Sequence, residues 1–274
     1  MSKKAIWTGE RLETFVFNES TIEHLHRYAL AADLAAGKKV LDIACGEGYG
    51  SHLLAMKATA VTGMDISPEV IEKARAKYKA SNLQFETAKA ENIPAPDQSF
   101  DLVVSFETLE HLEDHAAMLG EIKRVLVPGG LLLISTPDKK QYSEARNYKN
   151  PFHVKELSGS EFESLLRNYF TNVLICGQQM THSSVISGPG THGFDRYSGN
   201  YDSIHKNAPV EPLYLLALAS DSALPALSAS LFSGQSILEQ ALADKEKMVT
   251  GTITYRLGHG LLYPFKLIRN LFKK

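Results

Sequence analysis

The chain has 274 residues, 44% of them apolar, and only two cysteines, Cys45 and Cys176. That is enough to bury the core of one large α/β domain, and too few cysteines for a disulfide framework. The opening MSKKAIWTGERLE carries no apolar run of the secretory kind, and the longest apolar stretch, Leu213 to Ala219, is too short to span a bilayer, so a cytoplasmic chain is expected. The formal net charge of -2 is divided unevenly along the sequence. Residues 247–274 hold six basic side chains (Lys247, Arg256, Lys266, Arg269, Lys273, Lys274) and no acid, whereas the first 246 residues hold 23 basic against 31 acidic side chains, a balance of -8. An acidic body argues against nucleic acid as a partner, and the basic tail reads as a separate device.

A helix is expected over 20–36, where Ser20 and Glu23 have the spacing of a capping box and Ile22, Leu25, Tyr28, Ala29 and Ala32 recur at helical period. Gly37 ends it. Short apolar runs then alternate with helical segments, with strands at 39–43, 60–65, 83–88, 100–105 and 130–135. This is the pattern of βαβ units feeding a parallel sheet covered on both faces. The helix after the second strand opens with Ser67-Pro68-Glu69, an N-cap, a proline and an acid in its first turn. A second capping box, Ser158 with Glu161, starts a helix carrying Phe162, Leu165, Leu166 and Tyr169. Two further strands are expected at 172–178 and 211–219. The 181–210 segment between them holds His182, His192, Arg196, Tyr197, Tyr201 and His205 and is too long for an idle connection. It reads as an acceptor-side insertion, or equally as a surface loop or subunit contact. The organisation is thus one domain over 1–220 and a helical tail over 221–274.

The first strand leads into Asp42-Ile43-Ala44-Cys45-Gly46-Glu47-Gly48-Tyr49-Gly50 at the carboxyl edge of the sheet, where open α/β folds bind ligands. A tight strand-to-helix turn needs glycine for conformational reasons alone, and dinucleotide enzymes use a related loop. Two acids sharpen the reading. Asp65 ends the second strand, placed to accept hydrogen bonds from both hydroxyls of a ribose, and Asp42 beside the loop suits a cationic ligand better than a pyrophosphate.

VLDIACGEGYGSHLLA, VTGMDISPEVIEKAR, AENIPAPDQSFDLVVSFETLEHLEDH and EIKRVLVPGGLLLISTP resemble, in order and spacing over roughly residues 38–137, the successive motifs of class I S-adenosylmethionine-dependent methyltransferases. The resemblance implies a Rossmann-like, seven-stranded, mostly parallel sheet whose last strand is antiparallel, and S-adenosyl-L-methionine as cofactor. By position it implies that Asp42, Ala44, Cys45, Gly46 and Gly48 surround the methionine part, and that Asp65 holds the ribose. Ile66 would pack on the adenine, Ala90 would offer it a backbone N–H, and Phe106 would border the sulfonium. Ala44 stands where the family usually has glycine, and Lys89 where an acid often reads the adenine amino group, a place that Glu91 could take.

Methyl transfer from a sulfonium is an in-line displacement whose leaving group is already activated, so an enzyme mainly positions the acceptor and excludes water. A hydroxyl acceptor gains from a general base. FETLEHLEDH puts Glu107, Glu110, His111, Asp114 and His115 on what reads as the first turns of a helix, with Glu107 and His111 on one face and His115 solvated. The family resemblance makes His111 the first candidate base and His153, in NPFHVKE, the second. The same residues also read as a helix-start acid cluster with a packing histidine and a loop histidine. His111 and His115 have helical spacing, but no HExxH or cysteine-pair pattern is present, and no metal is expected.

In residues 255–274, Pro264 is placed to start a helix with Phe265, Ile268, Leu271 and Phe272 on one face and Lys266, Arg269, Lys273 and Lys274 around it. Such a helix suits an anionic membrane surface, each basic residue contributing on the order of 1 kcal/mol, although it could also dock on the domain or on a partner. EHLHRYALA, NPFHVKE and this tail resemble methyltransferases that accompany glycosyltransferases in bacterial surface-polysaccharide (O-antigen-type) assembly. That resemblance implies O-methylation of a sugar or phosphate on a glycan or lipid-linked sugar at the inner face of the plasma membrane. The alternatives are a small-molecule or quinone methyltransferase, and a catalytically idle, cofactor-binding scaffold for glycosyltransferases.

Overall fold

The structure, a computed structural model, describes residues 11–181, 183, 195–206 and 211–271, with the side chains of Gly199 and 263–271 outside the description. Seven strands form one sheet: β1 (Lys39–Ile43), β2 (Ala60–Asp65), β3 (Leu83–Thr87), β4 (Phe100–Phe106), β5 (Leu126–Pro137), β6 (Asn172–Gln178) and β9 (Tyr214–Ser220). Their order is β3-β2-β1-β4-β5-β9-β6, all neighbours parallel except β9, which runs antiparallel to both β5 and β6. This is the expected Rossmann-like sheet. Strand β5 is longer than its sequence pattern indicates because its edge extends through Pro128-Gly129-Gly130. A two-stranded ribbon, β7 (Tyr197–Gly199) with β8 (Ile204–Lys206), lies apart. His182 and His192 of the insertion lie outside the described residues.

The central strands are apolar on both sides because helices cover both faces. Helices α1 (Glu19–Leu34) and α2 (Tyr49–Ala55) close one face over Val40, Leu102, Val104 and Leu133. Helices α4 (His115–Val125) and α5 (Gly159–Arg167) close the other over Leu41, Val103, Leu132 and Ile134. Helix α3 (Pro68–Lys77) is capped by Ser67, whose hydroxyl accepts from Val70 N–H, and α5 carries the expected Ser158–Glu161 box.

Three helix starts differ from expectation. The α1 capping box is Asn18 with Thr21, two residues ahead of Ser20 and Glu23, and Glu23 is buried instead. After β4 the chain does not enter a helix. Glu107 takes a left-handed conformation (φ 50°), Leu109–His111 make a single 3-10 turn, and α4 begins only where Asp114 caps the Ala117 N–H. Glu107 and His111 therefore do not share a helix face, and His115 is buried rather than solvated. In the tail, α6 (Gln235–Thr250) is followed by α7 (Ile253–Leu271), which runs through Pro264. Thr252, whose hydroxyl accepts from Tyr255 N–H, sets the start of α7. Residues 221–234 pack back onto the body, with Leu224 and Leu227 against the core and Ser230 bonded to His26.

Candidate active site

Strand β1 ends in a turn that bends three times through the left-handed region, at Ala44 (φ 57°), Gly46 (φ 54°) and Gly48 (φ 88°). At Gly48 a Cβ would sit 2.8 Å from the Phe85 ring, so glycine is required there by both conformation and space. A Cβ on Gly46 would meet nothing within 4 Å, because that side of the turn opens on the cleft. Ala44 does without glycine in a conformation that costs an L-residue about 1–2 kcal/mol.

The cleft has two cavities of about 300 and 360 Å³ that share Arg11, Ala44, Gly46, Glu107 and His111 as a common wall. The first is lined by Asp65, Ile66, Lys89, Ala90, Glu91 and Ile93. Asp65 is held rigidly, its Oδ2 accepting from Gly46 N–H at 3.1 Å and its Oδ1 from Ser67 N–H at 2.9 Å, with Arg11 at 3.5 Å. Ile66 is an exposed aliphatic side chain (57%) on the cavity wall. An open glycine wall, a fixed carboxylate and an apolar face suit a nucleoside. The residues present therefore fit the cofactor implied by the sequence.

Two expected contacts are placed elsewhere. Asp42 does not line either cavity. It is fully buried, accepting from Ser51 Oγ at 2.6 Å and from Tyr28 Oη at 3.2 Å, and burial raises its carboxyl to about 7. Gly48 likewise faces the Phe85 side, whereas Cys45 and Phe106 line the second cavity. Asp42 thus acts on the cleft through Tyr28, which does line it.

The second cavity gathers aromatic and polar side chains, among them Tyr28, Tyr49, Tyr142, Tyr148, Tyr214 and His153. His111 and His153 meet edge-on, 5.2 Å between ring centroids, and His153 lies on the face of Tyr142 at 5.3 Å. Glu110 is buried beside them, and its carboxyl is raised well above the ordinary range by burial and then by the neighbouring Glu107. Glu107 is turned the other way, accepting from Arg27 at 2.9 Å and Ser135 Oγ at 2.6 Å. Arg27 is itself buried, with its guanidinium over the rings of Tyr214 and Phe106.

Arg11, Arg27, Tyr142, Tyr148 and Tyr214 were not legible as site residues. Tyr28 shows only as a helix-period core position, and Arg27 beside it carries no spacing signal. The tyrosines come from three separate segments whose convergence is tertiary. His205, Tyr197 and Tyr201 lie on or between the strands of the β7–β8 ribbon and line neither cavity.

Sheet order, glycine turn and ribose-type acid define a Rossmann-like fold of the S-adenosylmethionine-dependent methyltransferase class. Residues 34–183 match the family model described as a methyltransferase domain, and the chain belongs to that family. It is 38% identical over 162 residues to a probable S-adenosylmethionine-dependent methyltransferase of Mycolicibacterium smegmatis, an alignment covering 58% of this chain and 62% of the relative. It is 37% identical over 114 residues to a ubiquinone biosynthesis O-methyltransferase of Psychrobacter arcticus, covering 39% of this chain and 44% of that protein. The chain thus spans less than two thirds of the length of either relative. Among solved structures, an S-adenosylmethionine-dependent methyltransferase from Archaeoglobus fulgidus superposes with a TM-score of 0.55 at 18% identity, over 74% of this chain and 93% of that one, a likeness of fold.

Proposed function

We propose that the protein is an S-adenosyl-L-methionine-dependent O-methyltransferase that acts on a sugar or phosphate hydroxyl of a membrane-proximal glycan or lipid-linked sugar. The observation that carries this reading is the continuity of a nucleoside-suited cavity with a polar, aromatic one across the wall formed by Gly46, Glu107 and His111. When bound, the cofactor supplies a methyl group already activated by its sulfonium. Asp65 would hold the ribose, Ile66 the adenine face, and Ala90 and Glu91 the adenine edge, with Ala44, Cys45, Gly46 and Phe106 around the methionine end. On the acceptor side, Tyr142, Tyr148 and Tyr214 line the cavity with aromatic surface and hydroxyls for a sugar ring, and His111 and His153 are the groups placed to activate the hydroxyl. His111 donates from Nδ1 to Phe152 O at 2.8 Å, an arrangement that leaves Nε2 as the basic nitrogen.

The tail supports a membrane setting. Ile253, Leu257 and Leu261 recur every four residues along α7 and are 62–76% exposed, in a segment without acids. No helix among the described residues is long and apolar enough to cross a membrane, so attachment would be interfacial, near any glycosyltransferases that supply the acceptor. The test is transfer of labelled methyl from S-adenosyl-L-methionine to a panel of phosphorylated glycans and of quinols. Labelling of the glycans, lost in His111→Ala while S-adenosylhomocysteine still binds, is expected. Labelling of quinols alone would favour the second reading, a quinone methyltransferase, which the Psychrobacter relative supports. Cofactor binding without transfer to anything would leave the scaffold.

A further inference from the structure

We propose that Glu110, His111 and His153 form a binding site for one divalent first-row transition ion, of the Mn2+, Co2+ or Zn2+ kind, at the acceptor end of the cleft. One donor atom from each of the three lies within 4.8 Å of the others. Metal–nitrogen and metal–oxygen bonds of about 2.0–2.2 Å place adjacent ligand atoms roughly 3–3.5 Å apart, so side-chain rotations of an ångström or so would close the set.

Several observations point to ligation. Each imidazole has its Nδ1 proton committed, His111 to the Phe152 carbonyl at 2.8 Å and His153 to Glu156 Oε1 at 2.5 Å. A histidine whose other nitrogen is fixed by a carbonyl or carboxylate is the usual form of a metal-binding histidine, since that partner sets the tautomer and raises the basicity of Nε2. The His153 Nε2 lone pair is marked by Asn150 Nδ2, which donates to it at 3.0 Å and which an ion would displace. Glu110 accepts from Thr136 through Oε2, while its Oε1 faces His111 Nε2 at 3.9 Å. A carboxylate this deeply buried is costly as an anion unless a cation sits against it, and the nearby Arg27 is already bonded to Glu107.

The site is also held together before anything binds. Val154 and Lys155 N–H both donate to the Glu110 carbonyl, at 2.8 and 3.1 Å, which fastens the loop carrying His153 to the turn carrying Glu110 and His111. Two imidazoles with one carboxylate favour a transition ion over Mg2+, and three protein ligands leave coordination positions open. Resting on the methyltransferase reading, the ion would occupy the Nε2 lone pairs that otherwise serve as base, so His111 and His153 would act by holding it and the ion would hold and acidify the acceptor hydroxyl at the boundary of the two cavities. The existence of the site does not depend on that reading.

The full chain, stripped by chelator and dialysed, is titrated with Mn2+ by electron paramagnetic resonance and with Co2+ by visible absorption. S-adenosylhomocysteine binding is measured on the same samples by calorimetry. One ion per chain is expected. Glu110→Gln and His153→Ala should abolish that uptake, and Glu156→Gln, which alters only the support of His153 and leaves the cleft lining intact, should weaken it roughly 10–100-fold. Absence of uptake by the intact chain, or uptake unchanged in all three variants, overturns the proposal. Failure of S-adenosylhomocysteine to bind the intact chain would instead sink the methyltransferase reading, whatever the metal result.

Discussion

Gly50 lies in the first turn of α2, and a Cβ there would fall 1.9 Å from Tyr28 Cζ and 2.4 Å from its hydroxyl oxygen. Carbon atoms rest at about 3.5–4.0 Å, so Gly50→Ala drives the Tyr28 ring back by nearly 2 Å. The hydroxyl already sits 3.2 and 3.3 Å from the two Asp42 oxygens, at the long end of hydrogen bonding, and that retreat breaks both contacts. Overpacking of this kind costs about 1–3 kcal/mol, and a fully buried carboxyl that loses a donor about 1–3 kcal/mol more. Gly50→Ala should therefore destabilise the protein by about 2–6 kcal/mol in urea unfolding and weaken S-adenosylhomocysteine binding, because Tyr28 lines the cleft. The decisive assay is a double-mutant cycle with Tyr28→Ala, which empties the space. In that background Gly50→Ala should be neutral, or stabilising by up to about 1 kcal/mol through helix propensity. Equal costs in both backgrounds, or no cost in the wild type, would refute the reasoning.

The raised Asp42 carboxyl has a pH signature. Its pKa rises on folding from 3.8 to about 7, so the unfolded chain releases the proton first, and stability is lost as pH climbs between those values. At about 1.36 kcal/mol per unit the loss comes to roughly 4 kcal/mol. Against Asp42→Asn, the wild type should lose relative stability through that window in urea melts at stepped pH, and a constant difference would contradict it. Arg27→Met leaves Glu107 without its buried partner and should cost about 3–5 kcal/mol, read by thermal unfolding. Ala44→Gly relieves left-handed strain and should be neutral or slightly stabilising by the same measurement, whereas loss of more than about 1 kcal/mol would show that the methyl group packs. A chain ending at Gly251 should lose sedimentation with anionic vesicles that the full chain shows, and equal pelleting would remove the interfacial role of α7.

Sequence alone determined where the first five strands lie and which turn makes the cofactor end of the cleft, because those depend on local signals, while the antiparallel last strand followed from the family resemblance. Apolar runs of strand length, a Ser-Pro-Glu helix start, a glycine turn and an acid at the end of β2 each act within a few residues. The pattern misled where a local signal was outcompeted by packing. FETLEHLEDH has helical spacing, yet Glu107 turns left-handed, bonded to Arg27 and Ser135, and His115 is buried rather than solvated. Likewise Asp42, read as facing a cation, is enclosed by Tyr28 and Ser51. Beyond His111 and His153, only the tertiary structure decided the acceptor side, since Arg27, Tyr142 and Tyr214 lie on different elements and become neighbours only once the sheet brings α1 and the loops after β5 to one edge. Periodicity and capping are properties of a single segment, whereas the pairing of a buried charge or the meeting of two imidazoles belongs to the contact between segments.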